Sequence, residues 1–214
     1  MRQLILAMLW SLLSLSGLSA QAADEAGDFV AGKDYYVLET PVPAANPQKV
    51  SVQEIFWYAC PHCYQFEPVL NPWVARLPAD VDFQRLPALF GRLWDAHGRL
   101  FLTLQAMGAE ARVHQAIFEA IHRGQHLATP EDMVAFLGSH GIDRQAFLDT
   151  YNSFAIQGNM GKIRQQLAAY QVSGVPCLII NGKYRVDTEL AGGLPEMLKV
   201  ADFLIARERA SLAK

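Results

Sequence analysis

The 214-residue sequence has only 3 cysteines, too few and too unevenly placed for a framework of structural disulfides. Two stand together in Cys60-Pro61-His62-Cys63, and the third, Cys177, is far along the chain. There is no second C-x-x-C to complete a zinc site built on the pair, and no metal is expected. Charge is also sparse. Charged residues make up 18% of the chain and the formal net charge is −3, which excludes a basic nucleic-acid surface, while 51% apolar residues exclude a disordered chain. After the N-terminal segment no apolar run is long enough to span a bilayer, and no repeat or low-complexity tract is present.

What is present begins with a targeting segment. Arg2 supplies a short positive region, Leu4 to Leu18 is apolar, and Ala20-Gln21-Ala22 fits a small-x-small cleavage site. Residues 1–22 are therefore expected to be a signal peptide, with the mature chain starting near Ala23 and the protein located in the periplasm. In that oxidising compartment a C-x-x-C is read as reactive. A Cys60–Cys63 bridge closes so short a loop that it contributes only about 2 kcal/mol of chain-entropy stabilisation.

The position of the pair supports redox chemistry. It follows the apolar run Ile55-Phe56-Trp57-Tyr58, at the expected end of a strand and start of a helix. Free N–H groups and the dipole at a helix N-terminus favour a thiolate there, and a thiolate both attacks and leaves readily. A helix terminus contributes at most ~2 kcal/mol in good geometry. At ~1.36 kcal/mol per pKa unit, that lowers a thiol by about one and a half units. A stronger shift needs another donor, and on sequence alone His62 is the one nearby side chain that offers it.

Strands are expected at Tyr35 to Leu38, Val50 to Trp57 and Val81 to Leu86, with a helix from Pro61 to Leu77 between the last two that Pro68 and Pro72 would kink. That β-α-β order implies a parallel pair. Helical patterns then take over at Leu100 to Met107, Val113 to Ile121, Pro130 to Leu137, Arg144 to Tyr151 and Lys162 to Tyr170. Cys177 to Ile180, Asn181-Gly182 and Tyr184 to Val186 read as a hairpin with a type I′ turn, followed by a last helix from Pro195 to about Ala210. The fold class is α/β, divided as residues 23–91 and 164–214 for the two parts of one domain and 92–163 for an inserted all-helical domain.

Glu54, the run from Phe56 through Cys60-Pro61-His62-Cys63 to Tyr64, Phe66-Glu67, Gly174-Val175-Pro176 and Asn181-Gly182-Lys183-Tyr184 together resemble the DsbA-type periplasmic thiol oxidases of the thioredoxin superfamily. The resemblance covers essentially the whole mature chain and implies a thioredoxin-like fold with an inserted helical domain. It implies that Cys60 is the nucleophile, Cys63 the buried resolving thiol, and His62 a stabiliser of the Cys60 thiolate. It also implies that Glu54 is a buried carboxylate moving the second thiol's proton, and that Pro176 is a cis-proline facing the disulfide. With Val175, Pro176 would offer a short backbone edge to substrate. The implied partners are reduced or unfolded exported proteins and a membrane quinone-linked oxidase of the DsbB type. The chain is expected to act as a monomer without a cofactor.

Other readings compete at several positions. A disulfide reductase or isomerase, or a non-enzymatic chaperone or metal-binding module, would use the same motif differently. Glu67 either tunes the site or is solvated. His97, His114, His122, His126 and His140 read as surface or core residues of the helical block. Leu89, Phe90, Leu93 and Trp94 read as core sooner than as groove. Strand alternation puts Cys177 on the opposite face from Pro176, in the core beside Ile179.

Overall fold

The computed structural model describes residues 29–212; the expected signal peptide lies outside them. A five-stranded sheet forms from β1 (Tyr36–Val37), β2 (Val50–Phe56), β3 (Val81–Pro87), β4 (Cys177–Ile180) and β5 (Tyr184–Asp187), in the order β1-β5-β4-β2-β3. β2 and β3 are parallel and connected through α1 (Pro61–Ala75), while β4 and β5 add as an antiparallel hairpin. α2 (Arg92–Ala106), α3 (Glu110–His122), α4 (Pro130–Gly138), α5 (Arg144–Tyr151) and α6 (Phe154–Ala169) stand between β3 and β4, and α7 (Thr188–Ala191) and α8 (Leu194–Leu212) close the described chain. This is a thioredoxin-like α/β fold with a helical insertion.

Local chemistry sets the element ends. Thr129, Asp143 and Ser153 each accept a backbone N–H at the start of α4, α5 and α6. The β4–β5 turn has Asn181 at φ 52 and Gly182 at φ 61, closed by Lys183 N–H donating to the Ile180 carbonyl at 3.0 Å. Gly182 is required twice over, because a Cβ there would run into the Val42 carbonyl as well as strain the turn. α1 continues through both Pro68 and Pro72.

Two helices are longer than their sequence suggests. α2 starts at Arg92 and not Leu100, since its first turns carry polar residues and Gly98. Their helical state is supported by packing, with Trp94 stacked on Trp57 at 3.9 Å. α6 starts at Phe154 and not Lys162, behind its Ser153 cap, and is unbroken across 163/164, so the expected domain boundary at that point falls within one helix. The short α7 was not expected.

The sheet has a different partner on each face. Val50, Val52, Leu178, Ile180 and Val186 pack against Phe66, Leu70 and Trp73 of α1 and Met197, Ala201 and Leu204 of α8. Ile55, Cys177 and Ile179 face the helical block, where Phe56 and Tyr58 meet Phe101 and Phe118 edge-on. Strand alternation places Glu54 on the same face as Val50 and Val52, under α1.

Candidate active site

Cys60 is the N-cap of α1 and Pro61 its first helical residue, which puts the sulfur of Cys60 at the end of the helix dipole. Cys63 lies one turn in and is fully buried, whereas Cys60 is 8% exposed. Their surroundings drive the two thiols apart. Cys60 is lowered from 9.0 to about 6, a larger fall than a helix terminus alone provides. The Cys63 thiol, as a hydrogen-bond donor, is the largest single cause of that fall. Burial opposes it, the backbone N–H groups of Cys63 and His62 assist, and the charge of His62 comes last. His62 is exposed, so the expectation that it alone supplies the extra stabilisation is corrected. The buried Cys63 thiol and the backbone N–H groups at the helix start do more than the His62 charge. Cys63 itself is raised well above an ordinary thiol, first by burial and then by the adjacent Cys60 and Glu54.

The Val175–Pro176 peptide bond is cis, and the Cys60 thiol donates to the Val175 carbonyl at 3.6 Å. The structure therefore brings residues 60 and 175 together from opposite sides of the inserted helices. Cys177 follows on the other face, 1% exposed and paired in register with Ile55, and burial raises its thiol far above the ordinary range. In native protein it should resist alkylation while reduced Cys60 reacts quickly. Rapid labelling of Cys177 by a water-soluble maleimide, followed by mass spectrometry, would refute that placement.

Glu54 is fully buried. Its Oε2 accepts from Arg85 Nε at 3.0 Å, while Oε1 has no hydrogen-bond partner from the protein and is the oxygen free to carry a proton. Burial raises Glu54 to about 8; Arg85 opposes this, and the charges of Glu67 and Glu110 reinforce it. Glu67, for which a solvated position was one of the two readings, is only 1% exposed. It accepts from Asn71 at 2.8 Å and from Arg85 Nη2 at 3.3 Å. His114 Nε2 is 3.5 Å away. Burial works against its ionisation, but His114, Arg85 and Asn71 together hold its carboxyl below the ordinary value. Two carboxyl groups that share one guanidinium are thus held in opposite protonation states.

Arg85 and His114 were not legible as site residues. Arg85 lies in an expected strand with nothing local to mark it, and His114 comes from the helical block. The nearest signal was Glu54 in an apolar strand, which required a cation from somewhere. Two other histidines also lie near the redox segment. His122 Nε2 donates to the Tyr58 carbonyl at 3.0 Å and its ring stacks on Tyr64, while the His97 ring lies 6.0 Å from that of Trp57 and its Nε2 donates to the His126 carbonyl at 2.8 Å. Leu89 is buried as expected for core, whereas Phe90 is exposed and packs on Trp94.

A family profile described as "DSBA-like thioredoxin domain" matches residues 85–202. That stretch begins after the cysteine motif, so the motif's family context comes from full-length relatives. The "Thiol:disulfide interchange protein DsbA" of Pseudomonas aeruginosa is 54% identical over 215 residues, covering 100% of both chains. That of Azotobacter vinelandii is 53% identical, covering 99% of this chain and 100% of its own. Among solved structures, Pseudomonas aeruginosa DsbA superimposes with a TM-score of 0.84 at 56% identity, covering 87% of this chain and 98% of that one. The oxidoreductase DsbA of Xylella fastidiosa gives 0.80 at 33% identity, covering 85% and 98%.

Proposed function

The chain belongs to the DsbA family of thiol:disulfide interchange proteins, and on that footing we propose that its Cys60–Cys63 disulfide is donated to the thiols of newly exported proteins in the periplasm. It is a protein thiol:disulfide oxidoreductase, and proteins bearing thiols are its substrates. The observation that favours donation is the asymmetry of the pair, with Cys60 lowered to about 6 and Cys63 pushed up. A stabilised thiolate is a good leaving group and makes the reduced protein the favoured product.

In the forward reaction a substrate thiolate attacks the Cys60 sulfur. A new sulfur–sulfur bond forms between substrate and Cys60, the Cys60–Cys63 bond breaks, and its electron pair goes to Cys63. An anion is costly at that buried position, so Cys63 takes a proton, and Glu54, raised to about 8, carries one at neutral pH. A second substrate thiolate then attacks the substrate sulfur of the mixed disulfide. Cys60 departs as thiolate, the substrate holds the disulfide, and the enzyme is left reduced. Val175 and Pro176 supply the backbone edge on which the substrate chain lies beside Cys60. Reoxidation falls to a membrane quinone-linked partner of the DsbB type, after export by the N-terminal signal. Among the described residues no helix is long and apolar enough to cross a membrane.

Equilibration with glutathione tests the direction. The protein should be reduced by glutathione mixtures in which ordinary structural disulfides persist. A pair that remains oxidised under strongly reducing mixtures would favour a reductase.

A further inference from the structure

We propose that His114, contributed by the inserted helical block, governs the protonation of Glu54 by competing with Arg85 for Glu67. The contacts form a continuous string. Arg85 bridges two carboxyl groups, with Nε on Glu54 at 3.0 Å and Nη2 on Glu67 at 3.3 Å. His114 approaches Glu67 from the other side, with Nε2 at 3.5 Å from Oε1. Its Nδ1 lies 2.9 Å from the Tyr58 hydroxyl and 3.1 Å from Glu110 Oε1. The rings of Phe56, Phe101 and Phe118 enclose the imidazole edge-on. The titratable and charged groups around His114 are thus Glu67 from α1, Tyr58 from the segment before α1 and Glu110 from α3 itself. Arg85 and Glu54 come next, through Glu67.

Three carboxyl groups therefore face one permanent cation, Arg85. Without the imidazole, Glu67 would depend on Arg85 and Asn71, and the guanidinium would be drawn towards it. With His114 set against its Oε1, Glu67 has a further partner and more of the Arg85 field falls on Glu54, favouring its carboxylate. A guanidinium does not relay protons, so the link between His114 and Glu54 is electrostatic and not a proton wire. His114 is a positioning residue: it acts through Glu67 and Arg85 and touches neither thiol.

The consequence for catalysis rests on the reading of Glu54 as proton donor to Cys63, but the coupling itself can be measured without activity. Glutamate carboxyl carbons can be titrated by NMR in the reduced full-length protein. In His114→Gln the Glu54 midpoint should rise by about one pH unit, the size expected when a neighbouring carboxyl group takes more of a shared cation in a partly shielded cluster. His126→Gln, an exposed control, should leave it unchanged. A merely structural loosening at position 114 would admit water and move Glu54 the other way, towards an ordinary carboxylate. That downward shift or an unmoved midpoint would each overturn the proposal. Glu54→Gln keeps the two ideas separate: it should slow thiol exchange in a pH-dependent manner. Unchanged exchange in that variant would remove Glu54 from the proton step while the titration result for His114 stands.

Discussion

Replacing Cys60 with serine is expected to lower dithiol oxidation by on the order of 10³-fold or more, the scale of losing a covalent nucleophile. An alcohol neither forms the mixed disulfide nor leaves from it. Cys63→Ala should also lose dithiol oxidation, because no Cys60–Cys63 bond remains for a substrate thiolate to break; given oxidised glutathione, its Cys60 thiolate should form a lasting mixed disulfide with one glutathione, the other leaving as thiolate, visible by mass spectrometry. Cys63→Ala also tests which groups stabilise the thiolate. The Cys63 thiol is the largest contributor to the low value of Cys60, and the His62 charge the smallest of those identified. The Cys60 thiolate, followed by its ultraviolet absorbance against pH, should therefore titrate higher in Cys63→Ala than in His62→Leu. Appreciable oxidase activity in Cys60→Ser would assign the nucleophile elsewhere. A larger rise in His62→Leu than in Cys63→Ala would restore His62 as the principal stabiliser.

The second large effect is on stability. A thiol lowered from 9.0 unfolded to about 6 folded stabilises the reduced protein fully above pH 9 and loses that contribution as pH falls through about 6. The full shift corresponds to ~4 kcal/mol, reduced to roughly 2–3 kcal/mol by solvent screening at a partly open site. The competing term is the disulfide itself, about 2 kcal/mol for so short a loop. The reduced protein should therefore gain on the oxidised one between pH 6 and 9 and become the harder of the two to unfold on the alkaline side of that window. Glu54 acts with the opposite sign. Its carboxyl is raised from 4.5 to about 8, so its contribution is present below pH 4.5 and lost as pH rises through 8. The same contribution is expected of the oxidised form, so both absolute curves should fall while the gap between them widens. Urea melts of the two forms across this range measure that gap; a gap that narrows with rising pH would contradict a stabilised Cys60 thiolate.

The sequence by itself determined where the thiol pair stands and the strand-by-strand frame. Cys60-Pro61-His62-Cys63 after an apolar strand fixes a thiol pair at a helix start, because a C-x-x-C and an N1 proline are local signals that no distant contact needs to complete. The Asn181-Gly182 turn and the inward position of Cys177 were legible for the same reason: turn chemistry and strand alternation act within a few residues. The starts of α2 and α6 were not, since the polar and glycine-containing turns of residues 92–99 and 154–161 are held helical by packing that local periodicity does not record.

The tertiary structure alone decided how the thiols are tuned. Which donors reach Cys60 depends on the close approach of Cys63 and the helix backbone, and neither is visible in the identity of His62. The states of Glu54 and Glu67 depend on Arg85 from a neighbouring strand and His114 from the inserted block. Charge interactions act through space with a strength set by burial, so residues 31 and 47 positions apart in the chain come together in one charged cluster.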